Sequence, residues 1–419
     1  MASLFGGVLG VGVAVWPVVW YWLSNPGDQR VVDLDVYRMG GLALLQGVPV
    51  YEVVTPAPQL LPFTYPPVAA MLAVPLGLVS WPVAQWGWIA GVFLCLGVTV
   101  WYCCREVVSR LGWGMPLAVA GVVVLAAYLM PVRDQVRFGQ VDVLLVMLCV
   151  ADCMARRPWW PRGLLIGLAT AVKLTPGVFL IYLLITGFGT GGRDEQRKAF
   201  FMAVFTATLL TALPFLVIPD DAAGFWFGAL LDSERLGANN ATTNQSIRGM
   251  LLRLYLPDGV TAGLWLVLAA VVAWYGFTYA RRALLAGDRL TAVALTGLMA
   301  VLISPVAWIH HFAWVVVVLA ALAGPWDGRV RPGRLWLAAG AWLYYVVPIP
   351  WWGVALRAAE IPVLSPVAGR IVQDAFGLGA LVLLWLLIRR TKEREPTGQE
   401  VMSPIPGSPV QERPGASQA

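Results

Sequence analysis

Apolar runs recur from one end of this chain to the other, and they constrain the possible folds more than any other feature. Charged residues make up 12% of the 419 residues, whereas soluble domains carry about 25%. The runs fall near residues 4–23, 66–80, 84–104, 115–132, 141–155, 163–188, 199–218, 261–280, 290–308, 310–324, 335–350 and 373–390. This pattern predicts an all-α, polytopic membrane protein with roughly eleven or twelve membrane helices, some of them short.

Basic residues cluster between these runs, and their distribution predicts the topology. The clusters are Arg105/Arg110, Arg156/Arg157/Arg162, Arg193/Arg197/Lys198, Arg281/Arg282/Arg289, Arg329/Arg331/Arg334 and Arg389/Arg390/Lys392/Arg394. Cytoplasmic loops are enriched in Lys and Arg, so we place all six clusters in the cytoplasm. Topology then explains the net charge of +6, and we expect membrane lipids rather than nucleic acid as partners. The loops left outside are 24–65, 133–140, 219–258 and 351–372, together with the 308–311 turn.

Two regions do not fit a simple count of spans. Segment 163–188 begins and ends beside basic clusters, but it is too short for two spans of about 20 residues each. Lys173-Leu-Thr-Pro176 divides it, so we expect two short helices, with the proline ending the first. Segments 66–80 and 84–104 raise the same difficulty, and one of them should be short or re-entrant. Irregular backbone at membrane depth occurs where it is buried or lines a wet cavity, so both breaks point towards a site.

We expect residues 1–390 to form one membrane domain, with 24–65 as the outer loop that carries the chemistry. The chain from Thr391 onward is rich in Pro, Gly, Ser, Gln and Glu. Such a composition cannot bury enough apolar surface to fold, so 391–419 is predicted to be a disordered cytoplasmic tail.

Every unusual polar cluster falls on the side opposite the basic clusters. Six clusters from distant parts of the chain are thus predicted to reach one face, and this convergence indicates a site more strongly than any single motif. The clusters are Asp33/Asp35/Tyr37, Tyr65-Pro-Pro67, Arg133-Asp-Gln-Val-Arg137-Phe-Gly-Gln140, Lys173-Leu-Thr-Pro176, Asn244-Gln-Ser246 and Ser304-Pro-Val-Ala-Trp-Ile-His310-His311.

The outer loop holds two aspartates, Asp33 and Asp35, next to an apolar boundary. Asp is a good helix cap, so a solvated cap is one interpretation. The other is a general base, because a carboxylate within hydrogen-bond reach can take a proton from a sugar hydroxyl. If 33–46 is helical, Asp33 and Tyr37 share a face, whereas Asp35 points elsewhere. One aspartate would then be catalytic, and the other would bind substrate or support the structure.

Lys173 is the only lysine inside an apolar segment. An ionisable residue at membrane depth is costly, so it indicates a function unless its side chain extends to the membrane interface. The functional interpretation is a cation for an anionic ligand, most simply a phosphate. Arg133 and Arg137 lie on the outer side, against the positive-inside trend, and could add to the same anion site.

His310 and His311 are the only histidines, and they are adjacent. Successive residues on a helix point about 100° apart, so we expect the two rings to diverge and not to bind one metal ion. We predict no metal and no other cofactor. A hydrogen bond from a histidine to phosphate or sugar is the favoured role, and an interfacial polar pair is the alternative.

Together these motifs resemble glycosyltransferase family 87, whose members are membrane-embedded GT-C enzymes that use polyprenyl-phosphate sugars. The resemblance runs from about residue 10 to 390, and Phe-Thr-Tyr-Pro-Pro, Lys-Leu-Thr-Pro and Asn-Gln-Ser in this order are specific together. It rests on Val32-Asp33-Leu34 with Val36-Tyr37, Leu61-Pro-Phe-Thr-Tyr-Pro-Pro67, Phe138-Gly139-Gln140-Val-Asp142, Gly167 through Lys173-Leu-Thr-Pro176, Asn244-Gln-Ser246 and Ser304-Pro-Val with Trp308 and His310-His311.

Within that family the chain is similar to the actinobacterial α-(1→2)-mannosyltransferases. The resemblance implies transfer of mannose from polyprenyl-phosphate-mannose to a hydroxyl of a glycolipid or lipoglycan acceptor, at an active site on the periplasmic side of the cell membrane. The family's loop aspartate falls on Asp33, which implies Asp33 as the general base of an inverting reaction. The candidate substrate-binding residues are Asp35, Tyr37, Tyr65, Arg137, Gln140, Lys173, Asn244, Gln245, His310 and His311.

Two alternatives stay open. Within the enzyme class, the alternative is an arabinofuranosyltransferase that uses polyprenyl-phosphate-arabinose. Outside it, the alternative is a membrane transporter or lipid flippase. A transporter should show paired inverted repeats and polar residues at helix centres, whereas the polar residues of this chain gather at one face.

Overall fold

The structure is a computed structural model that describes residues 2–26, 29–324 and 331–393. The predicted tail lies almost entirely outside the described residues, as do Arg329 and Arg394 of the basic clusters. Throughout the described ranges the chain forms helices, turns and irregular connections without any β-strand, so the predicted all-α class is confirmed.

The helices are numbered in chain order and joined by short connections. They are α1 (Ala2–Leu23), α2 (Val32–Gln46), α3 (Pro67–Gly77), α4 (Trp81–Val108), α5 (Met115–Ala127), α6 (Met130–Phe138), α7 (Asp142–Met154), α8 (Leu164–Val172), α9 (Val178–Phe188), α10 (Asp194–Val217), α11 (Pro219–Gly224), α12 (Ile247–Leu252), α13 (Asp258–Leu285), α14 (Arg289–Ile303), α15 (Val315–Ala323), α16 (Pro332–Val346), α17 (Ile349–Ala358), α18 (Leu364–Gln373) and α19 (Ala375–Lys392). Short 3₁₀ or π segments are Ser109–Gly114, Thr175–Gly177, Phe225–Ala229, Ser233–Leu236 and Ile309–Trp314.

Four helical stretches of the described chain are long and apolar enough to cross a membrane, namely Ala2–Leu23, Trp81–Ala127, Asp194–Val217 and Asp258–Leu285. A fifth crossing results if α18 and α19, which are bent by 56°, form one span. Other apolar segments form shorter helices, among them α3, α14 and α15. The chain is therefore a polytopic membrane protein, and the short segments expected among its eleven or twelve predicted membrane helices are present.

The apolar segment 163–188 is broken at Lys173, as the sequence predicts. Helix α8 ends at Val172, and Lys173 is extended, with φ −150° and ψ 133°. Pro176 lies in the following 3₁₀ turn, so the first helix ends before Lys173 rather than at the proline. Helix α3, with 11 residues, is the short segment expected in the 66–104 region. The break at Lys173 and Pro66, directly before α3, border the candidate active-site cavity.

Helix α14 is the centre of the core. Every residue from Leu290 to Leu302 is buried, as expected for a helix that is apolar on all sides. Helices α13, α15 and α19 pack around it. The segment 304–314 connects α14 with α15, so the most buried part of the molecule supports the two histidines.

Gly139 lets α2 approach the end of α6. It closes α6 with φ +72°, a conformation that side chains rarely adopt. A Cβ atom there would lie 2.7 Å from Cβ of Leu34. The backbone N–H of Val31 also donates a 2.8 Å hydrogen bond to the carbonyl oxygen of Arg137. These contacts place the first turn of α2 beside Gln140.

Candidate active site

A cavity of about 490 Å³ lies between α2, the 60–66 loop, the break after α8 and the segment 304–311. Five of the six polar clusters predicted to converge contribute to its lining. The polar and proline side chains from these clusters are Asp33, Tyr65, Pro66, Gln140, Lys173, Thr175, Ser304, Pro305, His310 and His311. Segments that are far apart in the chain therefore meet around one space.

Gln140 connects the polar side chains on one side of this cavity. Its Nε2 donates a 2.6 Å hydrogen bond to Oδ2 of Asp33. Its Oε1 accepts hydrogen bonds from the hydroxyls of Tyr37 and Tyr65, at 3.1 and 3.2 Å. Asp33 and Tyr37 lie one turn apart on α2, so the predicted shared face is observed. The network fixes the orientation of the Asp33 carboxyl group, which lines the cavity.

The two aspartates of α2 lie in different environments. Burial raises the pKa of Asp33 to about 7, against the opposing effects of the Gln140 hydrogen bond and the Lys173 charge. A general base works best when its pKa lies near the operating pH. Burial also raises the pKa of Asp35, against the opposing charge of Arg38. Asp35 does not line the cavity, so its predicted substrate contact is not found there.

Lys173 is held by an ion pair inside the protein. Its Nζ lies 2.8 Å from Oδ1 of Asp142 and 2.9 Å from Nε2 of His311. It also lies 5.4 Å from the centroid of the Tyr65 ring. The Lys173 and Asp142 side chains are only 14% and 10% exposed. Lys173 therefore lines the cavity as a constrained cation instead of extending to the membrane interface.

The two histidines converge on one carboxylate. Nε2 of His310 and Nε2 of His311 each lie 3.9 Å from Oδ2 of Asp142. The expectation that adjacent histidines diverge is therefore wrong for the ring tips. The ring centroids are 4.7 Å apart and the ring planes make an angle of 78°. Both Nε2 atoms approach the same carboxylate although successive residues of a helix point in different directions.

Asp142, His310 and His311 also have the spacing of a metal site, since their possible ligand atoms all lie within 4.8 Å of one another. The Lys173 ammonium, however, already lies 2.8 Å from Asp142 and 2.9 Å from His311. A divalent ion bound there would be repelled by that ammonium at short range. The donor set fits an ammonium group better than a metal ion, and the absence of a metal cofactor stays a prediction.

Arg137 lies outside this cavity. Its guanidinium lies 4.8 Å from the ring centroid of Trp22 and 4.7 Å from that of Phe138. Together with Arg133 it lines a separate pocket, which is considered further below. The structure therefore does not bring the two arginines into the same anion site as Lys173.

Asn244 and Gln245 lie behind the cavity wall, and both are fully buried. Oδ1 of Asn244 accepts a 3.0 Å hydrogen bond from the backbone N–H of Ala307. Nε2 of Gln245 donates to the carbonyl oxygen of Gln373 at 2.9 Å. Both amide groups are already hydrogen-bonded within the protein, and neither residue lines the cavity. The predicted substrate contact is corrected to a supporting role, in which Asn244 holds Ala307 in place and the side chain of Gln245 joins the end of α18 to the start of α19.

Asp142 is a site residue that the sequence argument left out of the candidate set. A buried lysine requires a counter-charge, and Asp142 follows Gln140 by two residues at the start of α7. That need for a partner was a usable signal. Only the fold shows which carboxylate is the partner of the buried lysine, because 31 residues separate Asp142 from Lys173.

These features define a polytopic membrane enzyme whose cavity combines a carboxyl group of raised pKa with a buried ammonium group. Comparison with known proteins narrows this class. The model of glycosyltransferase family 87 matches residues 63–305, more than half of the chain. The chain belongs to glycosyltransferase family 87 and is a glycosyltransferase, not a transporter or flippase.

Curated relatives match most of the chain. A "polyprenol-phosphate-mannose-dependent alpha-(1-2)-phosphatidylinositol mannoside mannosyltransferase" of Mycolicibacterium smegmatis is 37% identical over 318 residues, which are 70% of this chain and 69% of the relative. The Mycobacterium tuberculosis protein of that name is 34% identical over 81% of this chain and 80% of its own. A Mycobacterium tuberculosis "phosphatidylinositol pentamannoside mannosyltransferase" is 35% identical over 82% of this chain and 77% of its own. No solved structure matches the chain.

Proposed function

We propose that this protein transfers mannose from polyprenyl-phosphate-mannose to a hydroxyl group of a glycolipid or lipoglycan acceptor at the outer face of the cell membrane. The observation that carries the proposal is the cavity in which Asp33, Gln140 and Lys173 meet from distant parts of the chain. The names of the relatives support mannose as the sugar, polyprenol phosphate as its carrier and a phosphatidylinositol mannoside as the acceptor.

In the proposed reaction Asp33 is the general base. Its carboxylate takes the proton of the acceptor hydroxyl while the hydroxyl oxygen attacks C1 of the donor mannose. The bond from C1 to the phosphate oxygen breaks, and its electron pair leaves with the polyprenyl phosphate. Attack opposite the leaving group inverts a β-linked donor into an α-linked product. A single displacement needs one base and no enzyme nucleophile, unlike a retaining reaction with its two carboxyl groups.

Lys173 is suited to stabilise the leaving phosphate. A fixed charge aimed at the place where opposite charge develops lowers a reaction barrier most effectively in a site that excludes water. The ion pair with Asp142 holds the ammonium in place before the donor arrives. Nε2 of His310 is buried without a hydrogen-bond partner among the described residues. We assign it a hydrogen bond to a phosphate oxygen or a sugar hydroxyl, and the reaction requires no metal ion.

Apolar side chains of the same cavity suit the lipid part of the donor. A polyprenyl phosphate needs an apolar surface next to the polar site that binds its headgroup. The cavity offers both, since one part of its lining is polar and another is built from leucine and phenylalanine. These apolar residues are Leu60, Leu61, Leu174, Phe225, Leu230 and Leu236.

We place the cavity on the periplasmic side of the membrane. Helices α7 and α14 each have one end at this cavity and the other end at a different, arginine-lined cavity. At about 1.5 Å per residue, a helix of this length separates its ends by roughly 20 Å. The arginines come from four of the clusters predicted to be cytoplasmic: Arg105, Arg156, Arg162, Arg289 and Arg390. The bias of Arg and Lys towards the cytoplasm supports an active site that faces outwards.

The test measures transfer of radiolabelled mannose from polyprenyl-phosphate-mannose to phosphatidylinositol mannosides in membranes that contain wild-type, Asp33→Asn or Asp35→Asn protein. General-base catalysis contributes about 10²- to 10⁴-fold. We therefore expect Asp33→Asn to lose at least about 100-fold in rate, while Asp35→Asn at equal expression retains most of the activity.

Three results would contradict parts of this proposal. Full activity of Asp33→Asn would reject Asp33 as the base. Transfer from polyprenyl-phosphate-arabinose, without transfer from the mannose donor, would establish the arabinofuranosyltransferase alternative. A β-linked product from a β-linked donor, read from its NMR coupling constants, would reject inversion.

A further inference from the structure

A second pocket, of about 640 Å³, lies against α6, the helix that leads to Gln140 of the candidate active site. It is formed by the end of α1, by α6 and by the start of α17. The proposed reaction uses none of its side chains, although they are polar and aromatic rather than purely apolar. The polar and aromatic lining residues are Tyr21, Trp22, Arg133, Asp134, Arg137 and Trp351.

Asp134 is the residue that indicates a ligand. It is only 1% exposed, and its Oδ1 is buried without a hydrogen-bond partner among the described residues. Nη2 of Arg133 donates instead to the carbonyl oxygen of Val346, at 2.8 Å. A buried oxygen without a partner is destabilising, and more so if it is charged. A hydroxyl donor in the pocket would remove that cost.

The other side chains of the pocket narrow the chemistry of such a ligand. Arg137 presents several N–H donors, while its guanidinium carbon lies over the Trp22 ring. Tyr21, Trp22 and Trp351 offer flat, largely apolar walls with a polar edge. Acceptors, donors and aromatic walls in one pocket match a ring that has hydroxyl groups at its edge and C–H groups on its faces. A lipid tail would leave the Asp134 oxygen unsatisfied.

Helix α6 connects this pocket with the active site. Gln135 of the same helix donates from Nε2 to the carbonyl oxygen of His310, at 2.8 Å. The helix ends directly before Gly139 and Gln140, and Gln140 holds Asp33. The carbonyl oxygen of Arg137 accepts the hydrogen bond from the backbone just before α2. A ligand in the second pocket would therefore lie against the same short helix that positions the proposed base.

We propose that the second pocket is an acceptor subsite that binds a cyclic polyol, either a sugar ring or an inositol ring. The proposal rests on the proposed function. The acceptor ring that receives mannose lies at Asp33, and the neighbouring ring of the same acceptor occupies the second pocket. Its hydroxyls donate to Asp134 and accept from Arg137. The subsite makes the enzyme select acceptors that carry a ring beyond the reacting one.

The experiment compares three acceptors with full-length protein in lipid nanodiscs and polyprenyl-phosphate-mannose as donor. Octyl α-mannoside offers only the reacting ring. Octyl dimannoside adds a sugar ring, and a short-chain phosphatidylinositol monomannoside adds an inositol ring. The readout is kcat/KM for each extended acceptor divided by kcat/KM for octyl α-mannoside. The preference for the extended acceptor should fall at least about tenfold in Asp134→Leu, because the buried acceptor of a ligand hydroxyl is lost.

Two further variants keep the test decisive. Trp351→Leu, on a different helix, should lower the same ratio if Asp134→Leu does not fold. Trp20→Leu is the matched control, since Trp20 lies on α1, is 60% exposed and does not line the pocket. It should leave the ratio unchanged. The Michaelis constant for the donor should stay constant in all three variants.

The outcomes separate the possible ligands. A loss of preference confined to the inositol acceptor, or to the dimannoside, supports the subsite and names its ring. Equal losses on all three acceptors, or an unchanged ratio in both pocket variants, would overturn the subsite. A wild-type protein that transfers mannose to none of the acceptors would reject the proposed function instead. Equilibrium binding of each tritiated acceptor to wild type and Asp134→Leu then decides the subsite independently.

Discussion

The two cavities at opposite ends of α7 and α14 hold charge in different ways. The candidate active site has few ionisable side chains, among which are Asp33, Lys173 and Arg235. The cavity at the other end, of about 580 Å³, is lined by many more: Arg105, Arg156, Arg162, Arg289, Arg390, Glu106, Glu195 and Asp288. A count of charged side chains would therefore select the arginine-lined cavity, whereas the proposed chemistry belongs to the candidate active site.

Burial distinguishes the ion pair at the candidate active site from the exposed pairs of the arginine-lined cavity. The side chains of Lys173 and Asp142 are 14% and 10% exposed, whereas those of Arg156 and Glu106 are 73% and 53% exposed. Water weakens the attraction within the exposed pair, so such a pair contributes about 0–1 kcal/mol to stability. Removing one partner of a buried pair costs about 3–5 kcal/mol. The arginine-lined cavity also contains a buried pair, Arg390 with Asp288, whose side chains are 9% and 13% exposed. Burial therefore distinguishes the Lys173–Asp142 pair from exposed pairs such as Arg156–Glu106, and not from every charge of that cavity.

The largest effect is expected from breaking the buried pair. Lys173→Met should reduce mannose transfer by at least about 100-fold, because the leaving phosphate loses its fixed cation. It should also lower the free energy of unfolding by about 3–5 kcal/mol, because the buried carboxylate of Asp142 loses its ammonium partner. Transfer assays and thermal unfolding in detergent measure the two effects.

The double variant Lys173→Met/Asp142→Leu is the control for this prediction. Replacing both partners of a buried pair by apolar residues is often neutral for stability. The double variant should therefore regain most of the thermal stability and remain inactive. Recovery of activity together with stability would show that Lys173 acts only through the fold.

A smaller and graded effect is expected from pH. Burial raises the pKa of Asp33 from its ordinary 3.8 to about 7, so the ionised form that acts as a base is lost as the pH falls below about 7. The value of kcat/KM should then fall about tenfold per pH unit on the acid side. Asp35→Asn should keep the same midpoint, and a flat profile from about pH 5 to 8 would contradict Asp33 as the base.

Gln140→Ala sharpens the same measurement. The hydrogen bond from Gln140 lowers the pKa of Asp33 against the effect of burial. Its removal should move the midpoint of the pH profile upwards. A midpoint that stays in place, or moves down, would show that Gln140 does not act on this carboxyl group.

The smallest effect is expected at the arginine-lined cavity. Arg156→Gln breaks the exposed pair with Glu106, in which the two charged atoms lie 3.1 Å apart. The free energy of unfolding should change by no more than about 1 kcal/mol, because solvent screens both charges. Mannose transfer should change less than about twofold. A loss comparable to that of Lys173→Met would overturn the comparison between the two cavities.

Much of the candidate site could be predicted from the sequence, but its contacts could not. Helical periodicity alone indicated that Asp33 and Tyr37 share a face, and both reach Gln140. The same reasoning failed for His310 and His311, because side-chain torsions are not visible in a helical projection. Polarity also misplaced Asn244 in the substrate cavity, although its amide oxygen accepts from the backbone of Ala307 and its amide nitrogen donates to the carbonyl oxygen of Asn239.

The sequence by itself determined the membrane class and the two broken segments, and it predicted the convergence of the polar clusters, five of which meet at the candidate active site. These are consequences of hydropathy and of the separation between apolar runs and basic clusters, which are local properties of a chain in a bilayer. Only the tertiary structure decided that Asp142 pairs with Lys173 and that Arg137 belongs to a second pocket. Such choices depend on packing between segments far apart in the chain, as between Asp33 and Gln140, which are separated by 107 residues.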